Sequence, residues 1–296
     1  MKVLLAEYTI LNNSRLAPEG AAMLSVLRNS FSRSGYEVLT PERGVFEEEL
    51  KRLAPSVDYG LVIAPDEYLS RYTCLIENMT FNIGCDSMSA AICANKDKTS
   101  DILESHGIRV PKRNFTGKNV KKPKYGCGAD GVLISNENPS PNECLQEFIE
   151  GDHISVSLVA SRVVGESCFY FTGAGPLVLS INKQNITIDK NGLFHYEGGE
   201  TPVSHPKEEA IKKAAIDAVK VLGCQGYVGV DMVVDESGPV IVDVNPRITT
   251  SILGIAACMK EEIGEILISA AKGVLPSEVH LEGRAGYDTK GNVTLL

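Results

Sequence analysis

Two carboxylates interrupt apolar runs near the C-terminal end of the chain. Asp231 lies in Gly229-Val230-Asp231-Met232-Val233-Val234, and Asp243 lies in Val240-Ile241-Val242-Asp243-Val244-Asn245. The runs read as β-strands, and Asp235-Glu236-Ser237-Gly238 between them reads as a turn, so together they predict a hairpin. Counting outward from the turn sets Asp231 opposite Asp243 to within about one residue, with Asn245 on the same face. Facing carboxylates repel, and burial makes each charge costly unless it is paired. Two carboxylates and an amide oxygen form a hard oxygen site of the kind that Mg²⁺ or Mn²⁺ takes. The same residues would also suit an outward polar stripe on an edge hairpin. Arg247, just past Pro246, is placed to clamp a phosphoryl group or a carboxylate through two N–H donors.

A second group is built to meet phosphate. Gly126-Cys127-Gly128-Ala129-Asp130-Gly131 matches the spacing of a dinucleotide-binding turn, but the β-favouring Val132-Leu133-Ile134-Ser135 follows it where a helix would be required. The loop is therefore expected to join two strands and to offer backbone N–H groups from a glycine-rich hairpin. Lys122 enters this turn and Lys96 opens the preceding helix, each placed to act as a point charge. Leu145-Gln146-Glu147-Phe148-Ile149-Glu150-Gly151-Asp152-His153 supplies polar groups for a base and a sugar beside apolar residues that can pack.

The elements that must carry these groups fall into two styles. Lys2–Glu7, Glu37–Leu39, Asp58–Ala64 and Asn82–Cys85 read as strands, alternating with helical patterns over Leu16–Phe31 and Val45–Leu53. This alternation predicts βαβ units and a parallel sheet. Beyond residue 95 the pattern changes to a helix over Lys96–His106, then to extended runs around Lys122, Val132–Ser135, Cys144–Ile149 and 154–164. Residues 172–200 hold many turn formers and little periodicity, and predict mostly loop and short strand. Pro206–Leu222 predicts a helix with Ser204 or His205 as cap, Pro206 in its first position and Gly223 ending it. A last helix is expected over Ile252–Lys272, and the tail from 277 is ambiguous.

Composition narrows the classes. The chain has 296 residues, 43% hydrophobic and 23% charged, with a formal net charge of −9, a globular balance that excludes a disordered chain. No basic stripe argues for a nucleic-acid partner, and no apolar run approaches a membrane span. Eight cysteines occur without CxxC or Cys/His spacing for zinc, so buried, reduced thiols in a cytoplasmic protein are expected.

Taken in order, these pieces resemble the ATP-grasp superfamily. Asn95-Lys96-Asp97-Lys98-Thr99 with Gly107-Ile108-Arg109-Val110-Pro111 is similar to its opening lysine helix, Lys122-Pro123 and the Gly126–Gly131 loop to its second lysine and phosphate flap, and Gln146-Glu147-Phe148-Ile149-Glu150-Gly151 to its adenine hinge. Asp243-Val244-Asn245-Pro246-Arg247 is similar to its acidic-x-Asn-Pro-Arg run. Ala17-Pro18-Glu19-Gly20, the 180–184 run and Tyr196-Glu197-Gly198-Gly199 resemble a compact archaeal branch.

The resemblance implies an α/β fold that is α+β in its C-terminal part. It divides into a βαβ domain over 1–93, a small subdomain over 94–135 and a larger one with the metal site over 136–296. It implies ATP as cosubstrate, with phosphates on Lys96, Lys122 and the loop glycines Gly126, Gly128 and Gly131. Gln146, Glu147, Phe148 and Ile149 would hold adenine and His153 the ribose. Asp231, Asp243 and Asn245 would hold Mg²⁺ or Mn²⁺. D-alanine ligases carry an arginine just before the first metal aspartate, but Gly229-Val230 stand here, so Arg247 or Lys183 must stabilise an acyl phosphate. The implied reaction joins a carboxylate to an amine through that acyl phosphate. The archaeal branch implies the glutamate γ-carboxylate and tyramine, with small molecules as the partners and room for a homodimer. Cys127 in the flap implies sensitivity to oxidation. Taken without the resemblance, the residues leave open another acid and amine, a dinucleotide-dependent oxidoreductase, or a non-catalytic nucleotide-binding module.

Overall fold

The computed structural model describes residues 1–113, 115–126, 128–161 and 175–296. The chain begins with β1 (Lys2–Glu7), α1 (Thr9–Asn12), α2 (Ala17–Arg33), β2 (Glu37–Leu39), α3 (Phe46–Leu53), β3 (Tyr59–Ile63), α4 (Asp66–Glu77) and β4 (Phe81–Asn82). The four strands form a parallel sheet in the order β2-β1-β3-β4. β3 is buried along its whole length and β1 from Val3 onward, which is why both read as near-continuous apolar runs. Met23, Leu27 and Phe31 recur at helical spacing on α2 and turn one face inward. Gly35, at φ 81°, reverses the chain after that helix, a conformation glycine adopts without a Cβ clash.

Two capped helices lead into the second part. Asp86 accepts the N–H groups of Met88 and Ser89 at the start of α5 (Ser87–Cys93), and Asn95 accepts that of Lys98 at the start of α6 (Lys96–Ser105). Lys96 is thus fixed in the first position of α6. The strands β5 (Asn119–Pro123), β6 (Leu133–Ile134) and β7 (Glu143–Glu147) form a small antiparallel sheet with β5 in the middle. β7 carries this sheet past residue 135, where the expected subdomain boundary lay.

The remainder is β8 (Asp152–Ala160), β9 (Leu177–Ile188), β10 (Phe194–Thr201), α7 (Glu208–Val221), β11 (Gly226–Asp235), β12 (Gly238–Asn245), α8 (Ile252–Cys258), α9 (Ile263–Ala271), β13 (Ala285–Tyr287) and β14 (Val293–Leu295). Its strands form an antiparallel seven-stranded sheet in the order β12-β11-β8-β9-β10-β13-β14. One apolar cluster joins Leu27 and Phe31 of α2, Leu61 and Ile63 of β3, Val159 and Tyr227 of the large sheet, and Ile266 and Leu267 of α9. This shared core, at about 1.5–3 kcal/mol per fully buried large side chain, fixes the first sheet against the third. A second cluster packs Ile211, Ala215 and Val219 of α7 on the opposite face, against Val156, Val228 and Val230.

Three expectations are corrected. Residues 177–188 and 194–201 are two long strands rather than mostly loop and short strand, because Asn182 and Gln184 stand where an apolar alternation would have announced a strand. The helix expected over Ile252–Lys272 divides into α8 and α9. Between them the backbone turns extended at Met259, which bridges Leu281, and Lys260 N–H bonds the His280 carbonyl. Helix α7 begins at Glu208 with Lys207 as cap residue, while Pro206 sits in the preceding turn, closed by Glu208 N–H on the His205 carbonyl. The last three residues of the extended run expected over 154–164 lie outside the described residues.

Candidate active site

The hairpin β11–β12 sets Asp231 directly opposite Asp243. From the turn the pairing runs Val234 to Pro239, Val233 to Val240 and Met232 to Ile241, and then the register shifts by one residue, leaving Val242 out of the ladder. This bulge does two things. It swings Asp243, rather than Val242, into line with Asp231. It also frees the Val242 carbonyl, which accepts a hydrogen bond from Lys122 Nζ at 2.8 Å.

Asp231 is held by two amides: Gln184 Nε2 donates to Oδ1 at 3.0 Å and Asn245 Nδ2 to Oδ2 at 3.1 Å. Burial, then the facing Asp243, pushes the Asp231 carboxyl up to about 7, against the opposing pull of Arg247 and Lys96. The hairpin is therefore short of positive charge. Among the described residues no group of three or more His, Cys, Asp or Glu side chains gathers to hold a metal. The hard-oxygen set of two carboxylates and an amide suits a divalent ion that completes its shell with water and phosphate oxygens.

Three cations converge on the cleft lined by this hairpin. Lys96 Nζ donates to Asp243 Oδ2 at 2.9 Å and to the Gly126 carbonyl at 3.1 Å. Asp243 and the loss of solvent pull Lys96 in opposite directions, and the acidic neighbours Asp243 and Asp66 win, raising it. Lys122 is buried, and among the described residues no carboxylate forms an ion pair with it; burial lowers its pKa. A buried ammonium held only by a carbonyl is set to receive an anion. Arg247 donates through Nε to Asp66 Oδ1 at 3.3 Å and through Nη2 to Asn245 Oδ1 at 3.2 Å, which holds the guanidinium beside the end of the β11–β12 hairpin.

The other end of the cleft is less polar. Gln146, Glu147, Phe148 and Ile149 line it together with Val120, Ile186 and Val233. Gln146 is buried and donates to Ser100 Oγ at 3.2 Å, while the N–H groups of Glu147 and Phe148 bond the carbonyls of Lys112 and Lys118 and fix the segment's path. His153 lines the same end, half-buried, and burial lowers its pKa, which favours the neutral imidazole. The glycine-rich loop joins β5 to β6 as a hairpin. Gly126, Gly128 and Gly131 take φ of 147°, 68° and 70°, so a side chain at any of them would be strained. Gly126 and Gly128 line the cleft; Cys127 lies outside the described residues.

The structure thus brings together Lys96, Lys122, Gly126, Gly128, Gln146, Glu147, Phe148, Ile149, His153, Asp231, Asp243, Asn245 and Arg247 around one cleft. Gly131 closes the loop beside Pro123. Lys183 is corrected. It sits on β9 between Asn182 and Gln184, and because side chains alternate along a strand it points away from the Asp231 face and is exposed. Gln184, its neighbour, is the residue that reaches Asp231. Sequence reasoning also missed Asp66, which opens a helix that the sequence reading did not assign, and the cleft residues Glu7, Glu19 and Tyr196.

This geometry of a cleft between two antiparallel sheets, with lysines above and a carboxylate hairpin below, has counterparts. A family profile described as an ATP-grasp domain matches residues 93–251. The chain belongs to the ATP-grasp family, and within it to the ATP-dependent ligases that form carbon–nitrogen bonds. It is 35% identical over 231 residues, 76% of this chain and 67% of the relative, to the tyramine–L-glutamate ligase of Methanocaldococcus jannaschii. It is 25% identical to the D-alanine–D-alanine ligase of Clostridium beijerinckii over 75% of this chain and 80% of that one. A crystal structure of an ATP-grasp superfamily protein from Archaeoglobus fulgidus superimposes with a TM-score of 0.78 at 26% identity, covering 97% of this chain and 92% of that one. Such ligases use ATP with a divalent metal ion. No helix among the described residues is long and apolar enough to cross a membrane.

Proposed function

We propose that this protein joins the γ-carboxylate of glutamate to tyramine, with ATP and Mg²⁺ or Mn²⁺, in the cytoplasm. The observation that carries the reading is the facing pair Asp231 and Asp243, lining one cleft together with Lys96, Lys122 and Arg247. Asp231, Asp243 and Asn245 would hold the divalent ion, which supplies neutralisation of phosphate oxygens when bound. Lys122, which among the described residues forms no ion pair with an acid, and Lys96 bind and orient the phosphates. Gln146, Glu147, Phe148 and Ile149 seat the adenine, and His153 meets the ribose.

The substrate carboxylate oxygen attacks the γ-phosphorus and ADP leaves; the amine nitrogen then attacks the acyl carbon and phosphate leaves. Arg247, anchored by Asp66 and Asn245, faces the transferred phosphoryl group through both steps. Positioning and fixed charge carry such a reaction, and no protein nucleophile is needed. The acid and amine would occupy the cleft beyond Arg247, where Glu7 and Glu19 line the wall and suit an ammonium group. The Gly229-Val230 pair before Asp231 separates this site from a D-alanine ligase reading, which needs an arginine there.

The test is ATP turnover with Mg²⁺ across a matrix of amino acids and amines, with mass spectrometry of the products. ADP formation that requires both glutamate and tyramine, with a product mass equal to their condensation, supports the assignment. ADP formation that requires a different pair replaces the substrates and keeps the ligase class.

A further inference from the structure

Asp66 is the first residue of α4 in the parallel-sheet part of the chain, and its side chain is almost wholly buried. Its carboxylate stands between two cations from separate segments: Arg247 Nε is 3.3 Å from Oδ1, and Lys96 Nζ is 3.8 Å from Oδ2. The same Lys96 Nζ is 2.9 Å from Asp243 Oδ2. Among the described residues Asp243 and Asp66 are the two carboxylates within ion-pair reach of Lys96.

This arrangement poses a conflict. An ammonium and a divalent ion cannot share Asp243 Oδ2 in a buried site, because like charges a few ångströms apart repel strongly there. Before nucleotide arrives with its phosphates, a metal on Asp243 drives Lys96 off Oδ2, and the displaced ammonium needs another counter-charge. We propose that Asp66 is a positioning residue that receives Lys96 when a divalent ion takes Asp243. The proposal rests on the reading of Asp243 as a metal ligand. The flexible lysine stem allows the short swing, and the first position of α6 keeps its root fixed while the ammonium moves. Since Asp66 belongs to α4 and also holds Arg247, the swing would tie metal arrival to the docking of the parallel sheet against the phosphate site.

The experiment is Mn²⁺ binding to the whole protein without nucleotide, read from the electron paramagnetic resonance signal of free Mn²⁺. The proteins are wild type, D66N, K96M, D66N/K96M and D243N, each checked for its fold by circular dichroism. D66N removes the alternative counter-charge and is expected to weaken Mn²⁺ binding by at least about fivefold. K96M removes the competitor without touching Asp66 and is expected to bind Mn²⁺ at least as tightly as wild type. The D66N penalty is expected to be smaller in the K96M background. A penalty equal or larger there, no penalty in the wild-type background, or weaker binding by K96M each overturns the role of Asp66. Wild-type affinity in D243N instead overturns the metal assignment itself, so the two failures are told apart.

Discussion

Arg15, on the loop before α2, and Asp130, in the glycine-rich loop, form a two-armed ion pair, with Nη2–Oδ2 at 2.6 Å and Nη1–Oδ1 at 3.2 Å. The pair ties the glycine-rich loop to the parallel-sheet part of the chain beside the cleft. Both side chains are largely exposed, so the link is weak in energy, and its value lies in where it holds the loop. Arg15→Ala is expected to raise the KM for ATP about two- to fivefold with little change in kcat. The charge-reversed double variant R15D/D130R is expected to recover most of the loss. Steady-state kinetics in ATP check both, and an R15A enzyme with unchanged KM would remove the loop-holding role.

Lys122 separates a binding role from a structural one. It is buried, and its only described hydrogen-bond acceptor is the Val242 carbonyl freed by the bulge. A buried ammonium without an acid opposes folding, whereas the same charge beside a phosphate contributes roughly 1.5–3 kcal/mol. Lys122→Met is therefore expected to weaken ATP binding about tenfold or more while leaving the melting temperature equal or higher. Calorimetric titration with ATP and a thermal melt give the two readouts. Loss of stability together with unchanged ATP affinity would make Lys122 a structural residue instead.

Asp231 predicts a pH dependence. Burial and Asp243 hold its carboxyl at about 7 in the folded chain, far above an ordinary aspartate. Between the unfolded and folded values the folded state binds the extra proton, so stability falls as pH rises through that window. The penalty is absent below the unfolded pKa, grows up to about 7 and is complete above it. Asp231→Asn removes the penalty. Without divalent ions, the variant is expected to gain melting temperature relative to wild type at pH 8 and not at pH 4. Added Mg²⁺ is expected to narrow the gap at pH 8 by stabilising only wild type. An equal difference at both pH values would count against a raised Asp231.

The hairpin and its two aspartates were legible because carboxylates in apolar strands stand out against a period of two. The one-residue uncertainty in their register was the bulge at Val242, which no turn count reveals. Lys96 was legible as the residue that opens a helix, and the structure adds Asn95 as the cap that fixes it. The glycine-rich loop was legible as a hairpin because a β-favouring run follows it. Lys183 shows where the reading fails. Charge drew attention to it, but strand alternation gives the site to Gln184, an uncharged residue in a segment whose polar side chains disguised a strand. Asp66 was illegible for a different reason. It reaches Lys96 and Arg247 only because a shared core packs the parallel sheet against the large one, a contact over 181 residues from Arg247 that local pattern does not encode.

Gly20 offers a test of how tightly the substrate end of the cleft is built. It lies inside α2, where alanine would ordinarily be favoured by about 1 kcal/mol. A Cβ there would come within 2.4 Å of Glu7 Oε1 and of Thr9 Oγ1. Glu7 has little room to yield: its carboxylate accepts from Thr9 N–H at 3.0 Å, Thr9 Oγ1 at 2.7 Å and Ile10 N–H at 2.8 Å, and it lines the cleft. Overpacking of this kind costs roughly 1–3 kcal/mol, enough to reverse the helix preference. Gly20→Ala is thus expected to destabilise the protein, and to do so through Glu7 and Thr9. In an E7A/T9A background the same change is expected to stabilise, since both obstructions are gone and the helix preference remains. Denaturant unfolding of the four proteins in the cycle measures the coupling. Additive effects would mean that α2 shifts to accommodate the methyl group and that Glu7 and Thr9 are not held against it.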